Sequence, residues 1–264
     1  ANCGIRAYNN RILGSQYVPT IRIENNNFTD YIGSAIAISA ADSVKISANS
    51  FMHNHRGDPF GKSQSLASNW MGGGQVYIGD SNTNVTISYN WIDGGVYHTG
   101  THDCNGPTSS QCSLASLVNF GIEVDPSTYG VRLYDNTEKD HGQAGIKIHS
   151  AHDVVIESEA VQYNNAGGFQ IVGDTSNGNA YNVSVKSSTV SSNYGYTSGP
   201  WPRAEGNGWG FWLDSHINTA GVCVQQDTYN NTLYNQSGAI YDPTGNKKTI
   251  SASCVSYCSS CPLP

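Results

Sequence analysis

The chain has 264 residues, of which 12% are charged, with a formal net charge of −7 and an isoelectric point near 5.5. A nucleic-acid partner needs a Lys/Arg footprint that replaces counterions, and no basic patch is present, so that class is excluded. No run approaches the roughly 18 apolar residues of a membrane-crossing helix, so a membrane partner is excluded too.

Ala1-Asn2-Cys3 does not read as a signal peptide, and the chain reads as a mature protein or an excised domain. No charge run, Pro-rich linker or shift in composition marks a boundary, so residues 1–264 are expected to form one domain. Gly accounts for 29 residues, and Asn, Ser and Thr are abundant, which makes the polar surface one of amides and hydroxyls. Such a surface suits sugars better than phosphates. Seven cysteines include Cys104 and Cys112 in a polar stretch and Cys254, Cys258 and Cys261 in the tail, placements that favour disulfides and export from the cell. Cys258-x-x-Cys261 lacks the second pair of a zinc site, and neither a metal nor another cofactor is expected.

Two kinds of short strand alternate along the chain. In order they are Ile21-Arg22-Ile23 (followed by Asn26 and Phe28), Ile36-Ala37-Ile38-Ser39, Val44-Lys45-Ile46 (Asn49, Phe51) and Val76-Tyr77-Ile78-Gly79. Next come Val85-Thr86-Ile87 (Asn90, Ile92), Ile122-Glu123-Val124-Asp125, Val131-Arg132-Leu133 (Asn136) and Ile146-Lys147-Ile148-His149. The series continues with Val154-Val155-Ile156 (Glu159, Val161), Phe169-Gln170-Ile171-Val172, Val183-Ser184-Val185 (Ser188, Val190) and Phe211-Trp212-Leu213-Asp214. It ends with Val222-Cys223-Val224 (Asp227, Tyr229) and Thr249-Ile250 (Ser253, Val255).

The polar position recurs after 23 residues from Asn26 to Asn49 and from Asn136 to Glu159, and after 39 to 46 where a segment is inserted. A bare coil of that length, alternating with period two, closes only as short strands stacked about 4.8 Å apart. The expectation is an all-β solenoid of about eight rungs, with Asn26, Asn49, Asn90 and Asn136 stacked as an amide ladder.

This pattern resembles the right-handed parallel β-helix superfamily, which includes pectate and alginate lyases, polygalacturonases, mannuronan epimerases and phage tailspikes. The resemblance covers nearly the whole chain. It implies a right-handed parallel β-helix, a polysaccharide partner and an extracellular setting.

In the strands that begin at Ile36, Val76, Ile122, Ile146, Phe169 and Phe211, the first and third residues face the core, so the second and fourth face solvent. One outward column runs Ala37, Tyr77, Glu123, Lys147, Gln170, Trp212; the other runs Ser39, Gly79, Asp125, His149, Val172, Asp214. Carboxylates two residues apart on a strand lie about 6.6–7 Å apart at the backbone. That separation fits the general acid and base of an inverting glycosidase. Glu123, Asp125, His149 and Lys147 are therefore the candidate catalytic residues, with His149 tuning Asp125. Tyr77, Gln170, Trp212, Asp214, Trp201 and Arg203 are candidates for substrate binding. The insertions 53–74, 93–119 and 193–207 end just before strands of this kind and are expected to wall the same face.

The leading expectation is a glycoside hydrolase. A uronate lyase or C5-epimerase is the second, because Val124-Asp125-Pro126-Ser127 looks like the Asp-Pro-His motif of mannuronan epimerases, with Ser127 in place of the His. The third is a non-catalytic glycan-binding, tailspike or adhesive protein. The enzyme readings favour a monomer and the tailspike reading a trimer. Ala1 carries no visible cap, which leaves room for a preceding N-terminal part, and the tail 254–264 breaks the repeat and is expected to cover the last rung.

Overall fold

The structure is a computed structural model that describes residues 4–7, 20–29, 31, 34–52, 54, 74–79, 81–94, 120–141, 144–164, 167–173, 176–178, 180–191, 209–213, 222–225, 240–241 and 249–251. Every regular element among them is a β-strand. β1 (Ile5–Ala7) is followed by β2 (Ile21–Glu24), β3 (Asn27–Thr29) and β4 (Ile36–Ile38), and the order recurs in β5 (Val44–Ser47), β6 (Ser50–Met52) and β7 (Gly74–Ile78). Next are β8 (Thr83–Ser88), β9 (Trp91–Asp93), β10 (Phe120–Val124), β11 (Tyr129–Tyr134), β12 (Thr137–Lys139) and β13 (Ala144–His149). Then follow β14 (His152–Glu157), β15 (Ala160–Gln162), β16 (Gly167–Val172), β17 (Tyr181–Lys186) and β18 (Thr189–Ser191). β19 (Trp209–Leu213), β20 (Val222–Gln225), β21 (Ile240–Tyr241) and β22 (Thr249–Ser251) complete the series.

Each strand pairs in parallel with the like strand of the next coil, which gives three sheets consistent with a β-helix solenoid. Sheet A runs β1-β4-β7-β10-β13-β16-β19-β21, sheet B runs β2-β5-β8-β11-β14-β17-β20-β22, and sheet C holds β3, β6, β9, β12, β15 and β18. Sequence patterning anticipated all eight strands of B and six of the eight of A, missing β1 and β21. It marked the middle residue of most C strands as apolar without recognising a third sheet, because three residues are too few to show alternation.

The registers explain the core. Ile36, Val76, Ile122, Ile146, Phe169 and Phe211 align along sheet A, and Val44, Val85, Val131, Val154 and Val183 along sheet B. All are buried, and like residues stack on like, as in the parallel rings of Phe28 with Phe51 and Phe169 with Phe211. Such stacking removes apolar surface from water on every rung.

Between sheets B and C the chain turns through a residue in the left-handed region. Asn25, Ala48, Tyr89, Asp135, Ser158 and Ser187 hold φ between 51° and 58°. For residues with a Cβ this conformation costs about 1–2 kcal/mol each. The residue after each turn offsets the cost. Asn26 donates its amide to Asn49 Oδ1 at 3.2 Å, Asn49 to Asn90 at 3.1 Å, Asn90 to Asn136 at 2.8 Å, and Asn136 to Glu159 Oε1 at 2.9 Å. The same acceptors also take the backbone N–H of the preceding coil's ladder residue. The predicted ladder is therefore present, and Glu159 continues it as an acceptor.

A second ladder, not anticipated from sequence, lies in the turn after sheet C. Tyr31 N donates to Asn54 Oδ1, Asn54 Nδ2 to Gln75 Oε1, and Gln75 Nε2 meets His141 Nε2 at 3.1 Å. His141 Nδ1 in turn reaches Asn164 Oδ1 at 2.8 Å. Because Asn164 Oδ1 only accepts, the proton is on Nδ1, and Nε2 accepts from Gln75. His141 is fully buried and neutral, and burial lowers its pKa to about 4, outweighing the hydrogen bond to Asn164.

An unfolded chain takes up the His141 proton near pH 6.5, whereas the folded one refuses it down to about 4. Stability is therefore predicted to fall by about 3 kcal/mol as pH drops through that window. Urea titrations at pH 6.5 and 4 should show this loss reduced in His141→Asn, which keeps a donor and an acceptor in the ladder. Equal acid loss in both proteins would contradict it.

Candidate functional site

The outward columns of sheet A form as their register requires. Ala37, Tyr77, Glu123, Lys147 and Gln170 occupy successive aligned positions, and the backbone register continues to Arg6 at one end and to Trp212 and Tyr241 at the other. His149 aligns with Val172 in the neighbouring column. Trp212 lies in β19 beside Gln170, and its side chain, like Asp214, Trp201 and Arg203, is outside the described residues. Gln170 is half-buried between Lys147 and Trp212 in register.

Among the described residues, three side chains of the columns depart from the expected solvent-facing pattern: Ala37, Val172 and, the one charged group among them, Glu123 are buried. Glu123 points away from the core yet is only 3% exposed. Lys147 on the next strand closes over it, with Nζ 2.7 Å from Glu123 Oε1 and 4.9 Å from the centre of the Phe120 ring. Burial acts to lower the Lys147 pKa, but the charge and hydrogen bond of Glu123, with the charge of Asp125 behind them, raise it above its ordinary value. Lys147 therefore stays an ammonium, and Glu123 is the carboxylate that holds it.

Asp125 is more accessible and organises the second group. Tyr77 Oη donates to Asp125 Oδ2 at 2.7 Å, and His149 Nδ1 lies 3.3 Å from Oδ1. A carboxylate accepts only, so the neutral imidazole carries its proton on Nδ1 and is basic at Nε2. Tyr77 is two places out of column with Asp125 and reaches it diagonally across Gly79. A Cβ at Gly79 would come within 2.9 Å of the Tyr77 ring and would collide with Ser39 Oγ. Gly79 is thus the gap through which the phenol leans. Sequence reading placed Tyr77 among the substrate-binding candidates and missed this bond; the glycine in an otherwise side-chain-bearing column was the available signal.

The structure therefore brings Tyr77, Glu123, Asp125, Lys147 and His149 together. Chemically they are an ion pair, Lys147–Glu123, beside a hydrogen-bonded set, Tyr77–Asp125–His149, able to exchange protons. No group of three His, Cys, Asp or Glu among the described residues is placed to hold a metal ion. Comparison of the chain with protein-family models, with curated proteins and with solved structures found no match.

Breaking a buried ion pair leaves the surviving charge uncompensated. Lys147→Met is predicted to cost about 3 kcal/mol in urea denaturation, and the double change with Glu123→Leu to recover most of it. A single variant as stable as the parent would show that Glu123 is not held as an ion.

Proposed function

We propose that the three sheets wind as a right-handed parallel β-helix of about eight rungs, the usual hand for parallel crossovers. Its sheet A face acts on a polysaccharide by acid–base chemistry. The observation that supports this reading is Asp125 accepting from both Tyr77 and His149. On this reading the protein works outside the cell as a monomer.

The reaction favoured is proton abstraction from a uronate chain, by a lyase or C5-epimerase. An inverting hydrolase needs its acid and base on opposite faces of the sugar ring. Here Tyr77 and His149 share one carboxylate and stand on one side, while Glu123, the expected second carboxylate, is covered by Lys147. In the lyase step His149 Nε2 takes the C5 proton, the C5–H electrons form the C4–C5 double bond, and the C4–O bond breaks. Tyr77 supplies a proton to the departing oxygen. Asp125 steadies both groups, and the Lys147 ammonium lies beside them. Asp125-Pro126 matches the epimerase-like motif, with the imidazole coming from His149 on the adjacent strand in place of Ser127.

Hydrolysis stays as the second reading because Glu123 already takes the charge of Lys147, which suits a neutral glycan better than a uronate. A panel of polysaccharides distinguishes them. Elimination yields new reducing ends together with ultraviolet-absorbing unsaturated products, and hydrolysis yields reducing ends alone. Epimerisation changes neither signal but alters the C5 proton resonances. On the substrate found, His149→Ala and Tyr77→Phe should lower kcat about 100- to 10,000-fold. Full activity in both variants would place the chemistry elsewhere.

A further inference from the structure

The middle residues of the sheet C strands stack inward as Phe28, Phe51, Ile92, Glu138, Val161 and Val190. A carboxylic acid thus sits in a column of apolar side chains, fully buried, and among the described residues no donor reaches either of its oxygens. The adjoining strands make room for it with glycines. A Cβ on Gly121 would lie 3.0 Å from Glu138 Cγ and 2.9 Å from His141 Cε1, and one on Gly145 would lie 3.3 Å from Glu138 Cβ. Beside it, Glu159 takes the asparagine place in the ladder and accepts from the Asn136 amide and backbone. Glu159 precedes by two residues Val161, the register partner of Glu138, so the two buried carboxyl groups come from adjacent coils at the same turn.

We propose that Glu138 and Glu159 form a buried acid pair in which Glu138 keeps its proton and donates it to Glu159, making this rung a pH-sensitive lock on the coil stack. The proton supplies the donor that Glu138 otherwise lacks. Removing it would leave two carboxylates together in an apolar interior, an arrangement that separates the ladder from sheet C.

The charged and titratable groups around the pair do not neutralise it. From the turn before β12, Asp135 adds negative charge near Glu159. On β12 and its following turn, Lys139 turns out to Asp93 of β9 and to Asp140. His141 is neutral and committed to its own ladder. β10 and β13 present Gly121 and Gly145, their charged Glu123 and Lys147 lying on the outer face. β15 presents Val161. In keeping with this geometry, burial first and the neighbouring carboxyl second hold Glu138 well above the ordinary carboxylate range, and burial raises Glu159 to about 8.

A carboxyl raised in the folded state gives stability that is lost as pH climbs toward its folded pKa. Each retained proton should raise the unfolding constant about tenfold per pH unit between pH 6.5 and 8. Glu138→Gln replaces the acid proton with an amide donor that does not titrate. Urea unfolding of the full chain should therefore show a flatter pH dependence in this variant, by about tenfold per unit, and likewise in Glu159→Asn, which restores the asparagine ladder.

Infrared spectra supply a readout that needs no variant. A protonated-carboxyl band should persist at pH 7, where ordinary Asp and Glu are ionised, and disappear at alkaline pH. Absence of that band at pH 7, or parallel pH profiles in parent and variants, would overturn the proposal.

Discussion

Everything in this molecule depends on a side chain in one coil satisfying the backbone of the coil before it. The turn between sheets B and C exposes an amide N–H and bends through the left-handed region, a conformation unfavourable for Ala48, Tyr89 or Asp135. Asn49, Asn90, Asn136 and Glu159 satisfy those N–H groups from the next coil and, in the same stroke, hold the amide side chain below them. The turn and the stack are thus one interaction. A coil shifted by one residue would lose both hydrogen bonds and would turn its apolar residues outward.

That constraint fixes the outer face as well. Because the inner residues of sheet A are aligned, the outer ones are aligned too, and Lys147 falls over Glu123 while His149 falls beside Asp125. Neither pairing requires a special loop. The diagonal from Tyr77 to Asp125 does require something additional, a missing side chain at Gly79. Reactive groups are thereby held on rigid strands, where their spacing follows from the strand repeat.

The periodic parts of this design were legible in the sequence. Alternation such as Val131-Arg132-Leu133 announces a strand, and Asn spaced at 23 residues announces a stacked turn. Three features were not legible. Sheet C strands are too short to alternate. Glu123 belongs to an outward position and yet is buried, because its cover is a lysine one rung on rather than anything near it in sequence. The ladder of Asn54, Gln75, His141 and Asn164 was hidden because Gln75 comes from a sheet A strand and not from the turn position that supplies the other three.

The side-chain ladder is the central claim, and exchange of its amide protons tests it most directly. In a nitrogen-labelled sample transferred to deuterated water, the Nδ2 protons of Asn49, Asn90 and Asn136 are predicted to exchange only through unfolding, at the pace of the Val131 and Leu133 backbone amides. Exchange as fast as that of the exposed Asn84 side chain would contradict it.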